Sequence, residues 1–343
     1  MGAGRRTLSG VRLGAGGVAP VALLALAVLA AAFLCLLAGP FEIGAGRALA
    51  ILFGAEEGTR EARVILGIRL PRVLAALLVG AALAAAGATY QAIFRNPLVS
   101  PDILGVSAGA SLGAVLGIFL ALPVAAIQGM AFAGGLGAVA LVSAIGAAVR
   151  GRDPVLILIL AGVVVGALAG AATSLLKVMA DPYDQLPAIT FWLLGSLAAV
   201  TGGDLWPTLP AVAVGLVPLV LLRWRINVLS LGDEEARTLG IEAARLRGLT
   251  IVCATLVTAS VVALAGVVGW VGLVIPHLAR MITGPGFGRL LPAAALMGAG
   301  YLLLTDTLAR TMATTEIPLG ILTAVVGAPF FLWLLMRGRR GWA

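Results

Sequence analysis

The chain is short of most of what a water-soluble enzyme relies on. Of its 343 residues, one is histidine (His277), one is lysine (Lys177), two are cysteine (Cys35 and Cys253), and only 11% are charged. A soluble domain carries about 25% charged residues. A single histidine excludes a zinc site built on several imidazoles. The single lysine sits in Ser174-Leu175-Leu176-Lys177-Val178. That is no Gly-x-x-x-x-Gly-Lys-Ser/Thr loop, so the chain does not hold ATP by that route. Both cysteines lie in apolar runs and read as small packing residues, with no disulfide framework.

What is present is apolar surface. Hydrophobic residues make up 61% of the chain. One soluble core could not bury that much, whereas lipid as solvent removes the problem. Glycine is plentiful, at 46 residues. In lipid, small residues let helix backbones approach closely, so the excess points to a tightly packed bundle. The net charge of +8 comes mostly from arginines scattered between apolar runs. Membrane orientation accounts for them better than nucleic-acid binding does.

Charge-free windows near 20 residues mark the spans. They are Leu13 to Phe41, Val73 to Phe94, Ile103 to Val149 (two helices broken near Pro123), Val155 to Leu176 and Leu205 to Leu222. Gly248 to Ala279 holds one span and the start of another, broken around Gly266 to Gly269, and Leu290 to Thr305 and Ile317 to Met336 complete the set. The count is about ten. The basic start and first run resemble a signal peptide, but the apolar stretch is too long, and it reads as a retained helix. Gln185 to Gly203 is apolar but broken by Pro187 and glycines, and reads as a short helix at the outer surface. With the N-terminus inside, 16 basic residues fall on inner segments and seven on outer ones (Arg47, Arg60, Arg63, Arg69, Arg72, Lys177, Arg310). This bias places both termini in the cytoplasm.

The longest polar inner segment is 223–247. Within it, Asp233 is positioned to cap a short helix and Gly240 to end it. An ordinary loop helix and a docking element for a cytoplasmic partner both fit.

Several stretches together resemble one family, the permeases of type II ABC importers for iron-siderophore, heme and cobalamin substrates, often called FecCD. They are Arg69-Leu70-Pro71-Arg72, Gly80 and Gly87 leading to Gln91, and Arg95-Asn96-Pro97-Leu98-Val99-Ser100-Pro101. Then come Leu104 to Ala110, Phe191 to Ser196, Leu231-Gly232 through Leu239-Gly240, Gly272 to Arg280, Asp306 to Arg310 and Glu316 to Gly320. They follow the family's order from about residue 65 onward. Trp270 stands where the family often has Phe, and Gly284 to Arg289 lacks a common Asp-His.

The resemblance implies an all-α integral membrane fold of about ten helices, forming one permease domain over residues 1–343. Residues 1–17 and 337–343 would be cytoplasmic tails. It implies a subunit without enzymatic activity or cofactor, in the bacterial inner membrane. A second permease copy would make a homodimer or heterodimer, with the pathway between the two. Two cytoplasmic ATPase subunits would carry ATP and Mg, and a periplasmic or lipid-anchored protein would bring the substrate. An iron complex such as a ferric siderophore is the expected cargo, with heme, cobalamin or an oxyanion such as molybdate as alternatives. By residue, it assigns ATPase coupling to Leu231, Gly232, Asp233, Glu234, Arg237, Leu239 and Gly240. It assigns binding-protein docking to Arg69, Arg72 and Arg310, against the plain reading that Arg69 and Arg72 snorkel at the lipid interface. It places Asn96 and Leu98 near a cytoplasmic gate, where a plain Asn-Pro turn fits equally. His277 reads as structural, its ring bonded nearby, rather than as a ligand. A stand-alone secondary transporter would need buried acids within its spans for ion coupling, and Asp306 alone comes near. A membrane-embedded enzyme would lack catalytic groups.

Overall fold

The structure is a computed structural model that describes residues 18–54, 58–149 and 154–337. Both predicted tails, apart from Arg337, and Arg5, Arg6, Arg12, Arg150, Arg152, Arg339 and Arg340 lie outside those residues. The described residues form helices joined by turns. Seven helical stretches are long and apolar enough to cross a membrane. They comprise α1 (Val18–Leu37), α3–α4 (Arg60–Val64 running into Leu70–Ile93), α6 (Val124–Ala148), α7 (Pro154–Met179), α9 (Gly202–Leu221), α12 (Ala243–Ala265) and α14 (Phe287–Thr311). Three shorter apolar helices, α5 (Val106–Phe119), α13 (Val271–Thr283) and α15 (Leu319–Arg337), fall where the remaining spans were expected. The surface segment is α8 (Gln185–Leu194), and the polar inner segment folds as α10 (Arg223–Leu229) and α11 (Asp233–Thr238).

The stretch between the first two spans also has structure. Helix α2 (Ala45–Leu52) packs on α3 through Ile43, Ala48, Ile51, Ala62 and Ile65. The Thr59 side chain caps α3 by accepting from the Ala62 N–H at 3.1 Å. A π-helical turn over Ile65–Arg69 then merges α3 into α4.

Two helices form the centre. In the apolar windows of α3–α4 and α12, 78% of residues are buried, against 17% in α1 and 28% in α7. Tyr90 of α4 meets Thr255 of α12 at 2.9 Å between hydroxyl oxygens. Each central helix is followed by irregular chain and then a short helix. After α4, the chain turns at Arg95 to Pro97, makes a 3₁₀ turn over Pro101–Leu104, and enters α5 through Gly105 at φ 79°. That φ is left-handed and favours glycine. After α12, Gly266 (φ 69°) and Trp270 (φ 69°) frame the irregular stretch before α13. Irregular backbone at membrane depth must be satisfied by protein. Here Ser196 N–H donates to the Ala265 carbonyl and Leu319 N–H to the Gly195 carbonyl, both at 2.9 Å.

Glycine sets the closest approaches, as the composition suggested. A Cβ added at Gly80 would overlap the Gly298 carbonyl, and one at Gly298 would overlap the Gly80 carbonyl, so α4 and α14 touch backbone to backbone. Gly87 meets Gly272 of α13 in the same way, and Gly109 of α5 meets Gly134 of α6.

Candidate functional site

Three groups of residues carry the chemistry, two at the end of the bundle where α4 finishes and one at the opposite end, where α1 finishes.

The first is the 223–247 segment. Asp233 does not cap α11 as expected: Gly232 occupies the N-cap, and Asp233 is the first helical residue. Its carboxylate turns back and accepts from Arg247 Nη2 at 2.7 Å. Arg247 is buried at the root of α12. This hydrogen bond is the main reason the Asp233 pKa lies below its ordinary value, and the charges of Arg95 and Arg237 add to it. Gly240 does end the helix, at φ 75°. Gly240 N–H donates to the Arg237 carbonyl and Ile241 N–H to the Ala236 carbonyl, both at 2.9 Å. This is a Schellman closure. Ala236 is buried beneath the helix, while Leu231, Glu234, Arg237, Leu239 and Gly240 are exposed. The seven predicted coupling residues therefore divide. Five are exposed, Gly232 is buried at the N-cap, and Asp233 fastens α11 to Arg247 of α12.

The second group lies where α4 ends. The Asn96 side chain accepts from the Leu98 N–H at 2.9 Å, the turn expected of Asn-Pro. Leu98 is partly exposed and, with His277 of α13 and Phe331 of α15, lines a narrow cleft. His277 Nδ1 is buried without a hydrogen-bond partner among the described residues, so the bond expected of its ring is not made there. No group of three or more His, Cys, Asp or Glu among the described residues could hold a metal. Gln91 donates to the Leu273 carbonyl at 3.1 Å and accepts from Arg280 at 3.3 Å, tying α4 to α13. The family-like motifs contain both residues, but the sequence assigns them no role.

The third group gathers Arg69, Arg72 and Arg310 at the end of the bundle where α1 finishes. Arg69 and Arg72 are only 4% and 7% exposed, which rules out snorkelling into the lipid interface. A helix leaves its last four carbonyls unsatisfied. Arg69 Nη1 donates to the carbonyls of Leu36 and Leu37 at 2.9 and 3.0 Å, and its Nη2 to that of Phe41 at 2.6 Å. Arg310 donates to the carbonyls of Cys35 and of Ala38. Two cations thus close the C-terminus of α1, where the helix dipole favours positive charge. Arg72 Nε donates to both Asp306 carboxylate oxygens at 3.0 Å, and its Nη1 donates to Glu316 at 2.7 Å. The Asp306 side chain is 2% exposed and that of Glu316 is 45% exposed. Direct contact with an outside partner would require these arginines to leave their internal partners. The family-like motifs contain both acids; the sequence suggests no role for Glu316, and for Asp306 only ion coupling in a secondary transporter. The signal for Asp306 was an acid inside an otherwise apolar helix.

A family model described as the FecCD transport family matches residues 26–337. The chain belongs to the FecCD transport family. It is a multi-span permease of ABC importer type. Among FecCD relatives, a probable iron chelatin transport system permease protein of Helicobacter pylori is 45% identical, over 80% of this chain and 83% of its own. The molybdate import system permease protein MolB of Haemophilus influenzae is 42% identical, over 81% and 82%. The cobalamin import system permease protein BtuC of Halobacterium salinarum is 44% identical, over 82% and 75%. Among solved structures, the chain is similar to one from an inward-facing metal-chelate type ABC transporter. That match has a TM-score of 0.85 and 37% identity, covering 93% of this chain and 99% of the other.

Proposed function

We propose that this FecCD permease passes an iron complex, a ferric siderophore, inward across a bacterial inner membrane, driven by ATP hydrolysed on two separate cytoplasmic subunits. The observation that carries the cargo is the iron chelatin relative, 45% identical over most of both chains. Relatives named for molybdate and cobalamin match almost as well. The same machinery with heme, cobalamin or an oxyanion as cargo is therefore the second reading. Reliance on a partner ATPase is supported by the lack of a Walker A loop. The coupling surface on this reading is the exposed row Leu231, Glu234, Arg237, Leu239 and Gly240. A second copy of the chain completes the pathway, and both termini lie in the cytoplasm.

On the outer side a substrate-binding protein docks over the end of the bundle. Arg69, Arg72 and Arg310 support that seat from beneath, by fixing the end of α1 and the half-exposed Glu316. Arg60 and Arg63 are basic side chains exposed on that side.

The deciding experiment reconstitutes the chain with its ATPase and binding-protein partners and measures ATP hydrolysis as each candidate ligand is added. Stimulation by a ferric siderophore is expected. Stimulation by heme, cobalamin or molybdate instead would replace the cargo and leave the transport class intact. No stimulation by any ligand, with all partners assembled, would refute the importer reading.

A further inference from the structure

On the cytoplasmic side, α9 and α12 pack against each other and end together. A cavity of about 410 Å³ opens beside that end, between α10 and the start of α12, with Leu222 just past α9 at its edge. Its lining includes Trp224, Arg225, Glu242, Arg245 and Leu249, together with the Leu239–Ile241 turn that closes α11. Three features of this cavity converge on one ligand chemistry.

The first is charge at a fixed depth. Arg225 lies four residues past the last residue of α9, and Arg245 is in the first turn of α12. Both therefore stand where spanning helices leave the hydrocarbon, at the level of lipid headgroups. Arg225 is exposed and makes no ion pair among the described residues. Arg245 pairs with Glu242 at 2.7 Å, but both side chains are largely exposed, at 85% and 67%. Such a pair is weak and readily exchanged for another anion. The second feature is Trp224, 61% exposed and also lining the cavity. Tryptophan favours this interface because its ring is apolar and its N–H polar. The third is an apolar track leading away from the charges. On α12, Leu249 and Val252 follow Arg245 at i+4 and i+7, and are 48% and 62% exposed. Residues at these spacings share one helix face. A cationic end continued by a lipid-facing apolar stripe fits a phosphodiester with an acyl chain, and exceeds what a small soluble anion requires.

We propose that this cavity is a binding site for an anionic phospholipid, with its phosphate between Arg225 and Arg245 and an acyl chain along Leu249 and Val252. A lipid seated there touches the turn that closes α11. The anionic lipid content of the membrane thereby bears on the rigidity of the coupling segment. This last consequence rests on the coupling role proposed above, whereas the binding site itself does not.

The test uses the full chain, purified in detergent and titrated with phosphatidylglycerol or phosphatidylcholine, with bound lipid counted by native mass spectrometry. Phosphatidylglycerol is expected to bind more tightly. Each arginine near a membrane surface contributes about fivefold, so Arg225→Gln with Arg245→Gln should weaken retention about 25-fold. Arg289→Gln, an exposed inner arginine outside the cavity, should leave it unchanged. Equal loss with Arg289→Gln would reduce the effect to general surface charge and overturn the site. Equal retention of both lipids would do the same. Release of the lipid by millimolar inorganic phosphate would reassign the cavity to a soluble anion. Displacement by the assembled ATPase would make it part of a protein interface. A second measurement needs no arginine variant. Phosphatidylglycerol with brominated chains should quench the emission that is lost in Trp224→Phe, and absence of that quenching refutes the placement.

Discussion

Replacing Arg72 by methionine separates two accounts of the outer arginines. Arg72 and Asp306 form a buried pair, with side chains 9% and 2% exposed and three contacts of 2.9–3.0 Å. Removing one member of such a pair leaves a buried charge without its partner, which costs about 3–5 kcal/mol. Arg310 offsets little of this, because its Nε stands 4.0 Å from Asp306 and its Nη groups are engaged by α1. Glu316 is half-exposed and can turn to water. Arg72→Met should therefore lower the thermal midpoint of the purified chain sharply. Replacing both members by apolar residues of similar size is often neutral or stabilising by about 1–4 kcal/mol. Arg72→Met with Asp306→Leu should recover most of the loss. The assay is a melting curve in detergent, followed by a pull-down with the binding protein. A support role predicts that the double variant is stable and still captures its partner. A direct docking role predicts a stable double variant that captures nothing. If Arg72→Met melts like the parent, or the double variant is no better than the single, the reasoning from burial fails.

The remaining predictions concern packing and coupling. A side chain at Gly298 would meet the Ala84 Cβ at 2.5 Å and the Gly80 carbonyl more closely still. Gly298→Val should cost about 1–3 kcal/mol or more by forcing α4 and α14 apart, read as a lower melting midpoint. Gly129→Ala, which meets nothing within 4 Å, should leave that midpoint unchanged or raise it slightly. Asp233→Asn keeps the shape of α11 but loses the ion pair to Arg247, and should lower substrate moved per ATP severalfold while ATP hydrolysis persists. The pH dependence follows from the lowered Asp233 pKa. The stabilisation is present above the ordinary carboxylate value of about 4 and is lost as pH falls through the folded value beneath it. Coupling in the reconstituted transporter should thus be flat in this respect from about pH 6 to 8, and a decline across that range would have to come from another group.

Much of the architecture was legible because hydropathy and charge act locally. The breaks near Pro123 and at Gly266 to Gly269 fall where the residues placed them, between α5 and α6 and between α12 and α13. Helix ends were read too short wherever charged residues belong to a helix. Helix α12 begins at Ala243, not Gly248, because Arg245 and Arg247 sit in its first turns. Helix α14 likewise includes Arg289 and Arg310. The outer α2–α3 pair went unread, since its five-residue core of Ile43, Ala48, Ile51, Ala62 and Ile65 joins segments of no strong periodicity. In the candidate sites, motif residues were found but not their partners. Nothing in the spacing of Arg72 and Asp306, 234 residues apart, shows that they pair. Asp233 looked like a cap because caps are local, while its true partner Arg247 lies a helix away.

The brevity of α13 bears on how the chain is made. Its 13 residues, Val271–Thr283, include Pro276, His277 and Arg280. A helix facing lipid alone needs about 20 apolar residues. As an isolated segment α13 would not leave the translocon for the bilayer. Its Arg280 finds a partner in Gln91 of α4, and its N-terminus packs at the close approach to Gly87. Insertion of α13 is therefore a tertiary event, completed after α4 and α12 are in place. Substitutions at Gly87 or Gln91 should then surface first as errors of topology during synthesis, before any effect on transport.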